Sequence, residues 1–412
     1  MSRRLRIAAL VLLSTATTLV LCEIFVRYLQ DTIPARADTP YVTDADCGYT
    51  LRPSAPGEFD PLDDRHVNAL GFRDRPRTVA KPDGVRRLVG LGDSFVYGDV
   101  PIAHNFLRLL ETELRHGAPP PPPEVIIAGL PGWDVRNAVG LMRGKGPALA
   151  PDLALLCFSV GSDVTGIPIP GAVYQGNLHF VGSQRPLLDL LRRSRLFVLA
   201  EQLYLVRVTN ALRRLRAGAR FGGGARDAAA AEESAPRTAD EPPLPEGAPY
   251  FHGMWGERDD PSARTPCNAD YLRRRVNNLR LFRTDPDPEV ESWWALAERQ
   301  LLDFDAACRD AGADWLLLIA PSEIQVDPRT REQVLAHAPL SPDAYDFDAP
   351  SRRLAAFAAA HGVAHLDPLD DLRAAQTAGG VRLYIPNNGH WSVPGNELMA
   401  HLVAERIRTG SR

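Results

Sequence analysis

Apolar positions along this chain fall into two alternating patterns, and the alternation becomes regular from about residue 84 onward. Leu88–Leu91, Val125–Ala128, Leu153–Val160, Trp315–Ala320 and Val363–Leu366 are short apolar runs, the pattern of strands covered on both faces. Between them, Asn105–His116 carries Phe106, Leu107, Leu109, Leu110 and Leu114 at helical spacing. Helices are likewise predicted over Val135–Arg143, Trp293–Ala311, Arg352–His361 and Gly395–Ile407. Strands of this kind separated by helices predict a three-layer α/β/α fold with a parallel sheet. Leu383–Ile385 adds one more short apolar run just before the final helix.

The pattern breaks in three places. At the N-terminus, Arg3, Arg4 and Arg6 precede an uncharged run, Ile7–Leu21, and apolar character resumes at Ile24-Phe25-Val26. A helix of about 20 apolar residues crosses a bilayer, and a basic flank stays on the cytoplasmic side. Residues 1–30 are therefore expected to be a signal anchor that leaves the rest of the chain in the periplasm, membrane-attached; a cleaved signal ending at Ala35-Arg36-Ala37 is the rival reading. Residues 31–83, rich in Pro, Asp and Arg, read mostly as loops. Residues 167–288 read as a helical insertion that divides the α/β domain into 84–166 and 289–412. Within it, Pro186–Leu215 is an arginine-rich helical stretch whose charges are expected to face water, with a membrane surface or an acidic partner as the alternative. The low-complexity linker 218–249 has too few large apolar residues to pack and is expected to be disordered.

Composition narrows the function classes. The chain has 412 residues and a formal net charge of -4, so it presents no global basic field for nucleic acid. Cys22, Cys47, Cys157, Cys267 and Cys308 form no CxxC pair and no Cys/His cluster at zinc-ligand spacing, so no metal or other cofactor is expected. Outside the cytoplasm one disulfide among Cys47, Cys267 and Cys308 is an open option.

Two segments carry candidate chemistry. Leu88-Val89-Gly90-Leu91 runs straight into Gly92-Asp93-Ser94-Phe95, and a serine at a strand-to-helix turn presents its hydroxyl, with its own N–H beside it, at the carboxyl edge of the sheet. Asn387-Asn388-Gly389-His390-Trp391 sits between the last apolar run and the final helix, so His390 is placed to meet Ser94 on one edge. That pair is a nucleophile and its base. Gly-Asp-Ser is also a common turn or N-cap sequence, and Trp391 could either stack on a sugar ring or pack internally.

With these residues in view, the chain resembles the SGNH/GDSL hydrolases, a three-layer α/β family with a flavodoxin-like parallel sheet. Gly92-Asp93-Ser94-Phe95 resembles their first block, and Asn68 with Gly71-Phe72-Arg73-Asp74 resembles the lead-in of membrane-tethered bacterial members. Gly132 falls at the second-block glycine, Val160-Gly161-Ser162-Asp163 resembles the third block, and Asn387–His390 aligns with the Asp-x-x-His of the fourth; Ala320-Pro321-Ser322-Glu323 resembles a recurrent feature of the same subgroup. The likeness covers 68–163 and 315–407. It implies esterase or O-acyltransferase activity on acyl, above all acetyl, esters of glycans or lipids, with Ser94 as nucleophile and His390 as base. The N–H groups of Ser94 and Gly132, with Ser162, would form the oxyanion hole.

Two departures stand out. The third block offers Ser162 where the family has an asparagine amide. The fourth offers Asn387, or Asn388 if the shorter Asp-x-His spacing applies, where the family has the carboxylate that orients the histidine. Asp163, Asp367, Asp370 and Asp371 are the candidate replacements, a Ser-His dyad oriented by a carbonyl is another, and a catalytically degenerate protein with a carbohydrate-binding or assembly role is the alternative function.

Overall fold

The computed structural model describes residues 3–32, 40–54, 64, 66–166, 171–174, 177–180, 194, 196–197, 267–285, 287–379 and 382–410. The chain forms two compact units, Met1–Ala37 with Ser183–Phe251, and Asp38–Gly182 with His252–Arg412.

In the first unit, α1 (Arg3–Thr32) is a 30-residue helix. Leu10, Leu13, Leu19, Leu21 and Phe25 on it are all exposed. Among the described residues, no helix is long and apolar enough to cross a membrane. The fold therefore does not by itself supply the spanning anchor expected over 1–30. Glu23 of α1 accepts hydrogen bonds from the Ser194 hydroxyl and the Leu196 N–H. The linker 218–249, and all of the stretch Pro186–Leu215 except residues 194, 196 and 197, lie outside the described residues.

The second unit opens with a hairpin, β1 (Tyr41–Asp44) and β2 (Gly48–Leu51), paired from Tyr41↔Leu51 to Asp44↔Gly48. The loop reading of 31–83 missed it because each strand has only four residues. Its turn is closed by the Asp44 carboxylate, which accepts the N–H groups of Asp46 and Cys47.

The α/β body follows as β3 (Arg87–Gly92), α2 (Ser94–Tyr97), α3 (Phe106–Arg115), β4 (Glu124–Gly129), α4 (Val135–Gly144), α5 (Gly146–Leu149), β5 (Leu153–Ser159) and α6 (Asp163–Gly166). A second hairpin, β6 (Gly171–Tyr174) and β7 (Asn177–Phe180), comes next. The remainder is α7 (Ala269–Asn278), α8 (Pro288–Asp310), β8 (Asp314–Ala320), α9 (Glu323–Val326), α10 (Pro328–Leu335), α11 (Ala349–His361), β9 (Ala364–Leu366), α12 (Leu369–Gly379) and α13 (Val393–Gly410).

Five strands form one parallel sheet in the order β4-β3-β5-β8-β9. Alternate side chains divide the core into two layers. Val89, Leu91, Leu156, Phe158 and Leu317 pack with Trp294, Leu301 and Phe304 of α8. Leu88, Leu155, Cys157 and Leu318 pack with Leu107 and Leu110 of α3 and Met399 and Val403 of α13. Both faces being covered explains why β3 is buried at every position. Strand order reverses between β3 and β5, so the loops leaving their carboxyl ends diverge and open a crevice there, the usual ligand position of such sheets.

Leu383–Ile385 is not a strand of this sheet. Tyr384 instead makes an isolated bridge to Trp391, and the N–H of Ile385 donates to the His390 carbonyl, so the segment folds into a narrow loop that carries the histidine. All five cysteines are free thiols, with Cys47, Cys157 and Cys308 buried.

Candidate active site

The turn after β3 is dictated by two residues. Gly92 has φ +157°, and a Cβ there would stand 2.7 Å from Val96 Cγ2 and 2.8 Å from the Cys157 carbonyl. Asp93 caps α2, its carboxylate accepting the Phe95 N–H at 2.9 Å. Ser94 is thus the first residue of a helix, and its N–H has no intrahelical acceptor.

Ser94 Oγ lies 2.6 Å from His390 Nε2. The other ring nitrogen has two neighbours. Asp99 Oδ2 is 2.9 Å from Nδ1, and Asn388 Oδ1 is 2.5 Å from it. A carboxylate and an amide oxygen are both acceptors, so Nδ1 carries the proton and Nε2 presents a lone pair to the serine hydroxyl. The orientation of the Asn388 amide follows from its own partners: its NH2 donates to Asp99 Oδ2 at 2.9 Å, and its oxygen accepts the His390 backbone N–H at 3.0 Å. Turned over, it would set NH2 against N–H.

Asp99 was not among the residues singled out from the sequence. It stands five positions after Ser94, in the loop that leaves α2. Gly98, at φ +74°, reverses the chain there; a Cβ would meet the Asn105 amide nitrogen at 2.7 Å. The buried Arg73 then clamps the loop, donating to the carbonyls of Gly98 and Val100 at 2.8 Å each, one on either side of Asp99. The Gly71-Phe72-Arg73-Asp74 segment that resembled a family lead-in therefore has a local task. Burial alone would raise the Asp99 pKa, but the hydrogen bond and charge of His390, the Asn388 amide and the Arg73 charge outweigh it and hold Asp99 below its ordinary value. It is ionised at neutral pH.

The structure does not bring Asn387 to the histidine. Asn387 sits at φ +58°, and its side-chain oxygen accepts the Asn268 N–H at 2.7 Å. In the Asn-x-His register, Asn388 is the residue that reaches the ring. The four aspartates considered as replacements are also elsewhere. Asp163 is buried and accepts the Ser159 N–H at 2.6 Å; burial, with the neighbouring Asp93, raises its pKa well above the ordinary carboxylate range. Asp367 accepts the Leu369 N–H, Asp370 faces Arg373 at 3.8 Å, and Asp371 is exposed at the start of α12.

Gly132 lines the same cavity as Ser94, at φ +79° in the turn after β4. Ser162 is there too, but its hydroxyl is committed, donating to Asp93 Oδ2 at 2.5 Å. It ties the loop after β5 to the loop after β3 rather than replacing the asparagine amide. An amide does enter the cavity from an unexpected place: Asn278, at the end of α7, donates to the Gly161 carbonyl at 3.3 Å. Trp391 does not face the cavity; it is 1% exposed and packs edge-on against Phe95 and Phe106 at 4.8 and 5.5 Å. Phe95 in turn braces the His390 ring at 5.0 Å.

The cavity has a volume of about 600 Å³ and is lined by Ser94 and His390 together with Arg274, Arg275, Asn277 and Asn278 of α7. A small acyl ester on a larger carrier fits such a space.

No protein-family model matches the chain, and no curated protein matches it. Solved structures do. They include the lipase/acylhydrolase from Enterococcus faecalis, at 12% identity over 79% of this chain and 96% of that chain, TM-score 0.35. A catalytic mutant of Axe2, an acetylxylan esterase from Geobacillus stearothermophilus, matches at 11% identity over 78% of this chain and 94% of that chain, TM-score 0.38. At 11% and 12% identity these likenesses are distant. What its site can do is read from its own geometry.

Proposed function

We propose that the chain is a serine esterase or O-acyltransferase acting on small acyl esters, acetyl above all, of glycans or lipids. The observation that carries this reading is the continuous line Ser94 Oγ, His390 Nε2, His390 Nδ1, Asp99 Oδ2, with both hydrogen-bond distances under 3 Å. Ser94 Oγ attacks the acyl carbonyl while its proton passes to Nε2. Charge that appears on the carbonyl oxygen meets the N–H groups of Ser94 and Gly132. Collapse expels the alcohol, which takes the proton from Nε2 and leaves the acyl group on Ser94. Water then completes hydrolysis, or a sugar hydroxyl completes transfer. The imidazolium that forms in each half-reaction is stabilised by Asp99, while Asn388 keeps the ring in its tautomer.

Support for a competent site, as opposed to a degenerate one, is that the carboxylate missing from the fourth block is supplied from another loop. Support for attachment to a membrane is the arginine-flanked apolar helix α1 with its exposed leucines.

The test is p-nitrophenyl acetate hydrolysis together with labelling by a fluorophosphonate probe. The parent hydrolyses the ester and is labelled, and Ser94→Ala loses both. Activity that survives Ser94→Ala removes the nucleophile assignment.

A further inference from the structure

The cavity that holds Ser94 and His390 has a cationic stretch of lining, which meets the loop carrying the histidine. Arg274 and Arg275 of α7 both line it. Arg275 lies over the Tyr271 ring at 4.7 Å, and the Tyr271 hydroxyl is hydrogen-bonded to the buried Glu323 carboxylate, so the guanidinium rests on a fixed platform. Its Nη2 reaches the Asn388 carbonyl at 3.4 Å, its side chain is also hydrogen-bonded to Tyr271, and its Nε is buried with no hydrogen-bond partner. Among the described residues neither arginine has an ion-pair partner. Several arginines elsewhere in this unit are ion-paired: Arg77 with Asp74 and Glu111, Arg87 with Glu124, Arg353 with Glu291 and Glu298.

The acids that face the cavity do not neutralise this wall. Asp134 is paired with Arg136, and Asp93 is held by Ser162 and the Phe95 N–H. Glu323, behind Tyr271, is pushed up by burial, which weakens it as a counter-charge. A half-buried guanidinium with spare donors is the usual device for holding a carboxylate or phosphate through paired charge-assisted hydrogen bonds. Asn277 and Asn278 beside it, with Ser159 and Thr165 of the same lining, offer hydrogen bonds to hydroxyl groups.

We propose that the substrate is an acyl ester of an anionic sugar, its carboxylate or phosphate bound by Arg275 and Arg274 while the ester lies at Ser94. This rests on the esterase reading of the same site. Arg275 is a binding residue, and Tyr271 and Glu323 position it.

The experiment compares kcat/KM of the full-length chain on an O-acetylated galacturonic acid oligomer and on its neutral methyl ester, with acetylated glucose 6-phosphate and acetylated glucose as the phosphate arm. The anionic member of a pair is preferred by about tenfold, the scale of one charge-assisted hydrogen bond. Which arm shows the larger preference identifies the group. Arg274→Gln with Arg275→Gln brings the preference close to one, and Arg275→Lys retains part of it, with thermal melts checking that the fold is kept. Equal turnover of charged and neutral esters by the parent, or a preference untouched in the double variant, overturns the proposal. A second readout separates the two readings. Ser94→Ala is titrated calorimetrically with the unacetylated galacturonate oligomer, and binding is lost when both arginines are also replaced. Charge-dependent binding without Ser94-dependent turnover leaves the anion site standing and removes the esterase; turnover without charge preference does the reverse.

Discussion

Replacing Asp99 with asparagine isolates the charge of the orienting group from its geometry. The carboxylate lies 2.9 Å from His390 Nδ1. At an effective dielectric of about 20, two unit charges about 3 Å apart attract by roughly 5 kcal/mol. Asp99 keeps 26% of its side-chain exposure, and the imidazolium charge is spread over the ring. Water screening then leaves about 3 kcal/mol, or roughly two orders of magnitude in kcat at 1.36 kcal/mol per decade. In a serine protease triad the corresponding exchange costs about 10⁴, because the asparagine also inverts the tautomer. Here Asn388 Oδ1 still accepts the Nδ1 proton, so the smaller loss is expected. The assay is burst and steady-state hydrolysis of p-nitrophenyl acetate by the parent, Asp99→Asn, Asn388→Asp and the double exchange. Asp99→Asn loses about 10² in kcat. Asn388→Asp gains nothing, since it sets a second carboxylate against Asp99. The double exchange moves the charge to the other acceptor and recovers at least tenfold over Asp99→Asn. An Asp99→Asn variant with more than a third of parental kcat, or an Asn388→Asp variant raised tenfold by itself, would refute this account.

Two further outcomes concern stability. The Asp163 pKa is raised on folding, so the folded chain holds a proton that the unfolded chain releases, and stability falls as pH rises from the ordinary carboxylate value through the raised one. Asp163→Asn, which can still accept the Ser159 N–H, loses less stability than the parent between pH 5 and pH 8 in urea titrations; parallel slopes would contradict it. Gly140 of α4 has no room for a methyl group, its Cβ falling 2.1 Å from the Asp46 carbonyl oxygen. Gly140→Ala therefore pushes the β1–β2 hairpin off α4 and lowers stability by about 1–3 kcal/mol, read as a shifted denaturant midpoint with Ala138→Gly, elsewhere on the same helix, as a comparison for propensity.

What could be read from residues alone was whatever depends on near neighbours. The apolar runs gave the strands of the sheet to within a residue or so, because a strand buried on both faces has an apolar interior that stops at polar residues such as Arg87, Ser159 and Asp314. Ser94 was legible because the features that expose it, Gly92 and the Asp93 cap, adjoin it in the chain. His390 was legible as a loop residue, but its loop was taken to follow a last strand that the fold does not contain; the Tyr384–Trp391 bridge supplies the rigidity instead. The identity of the orienting acid was not legible. An aspartate just downstream of a nucleophile resembles any helix-terminal polar residue. It faces the histidine only because Gly98 reverses the chain and Arg73, 26 positions earlier, clamps it. Nor could spacing decide between Asn387 and Asn388, since one φ of +58° turns the first away and leaves the second toward the ring. The cationic wall was hidden for the same reason: α7 lies in a segment read as an insertion, and packing alone brings it to the crevice. Local sequence determined the strands, the nucleophile's turn and the chemistry each side chain can offer. Long-range packing decided which groups share a cavity and which acceptor sits behind the histidine.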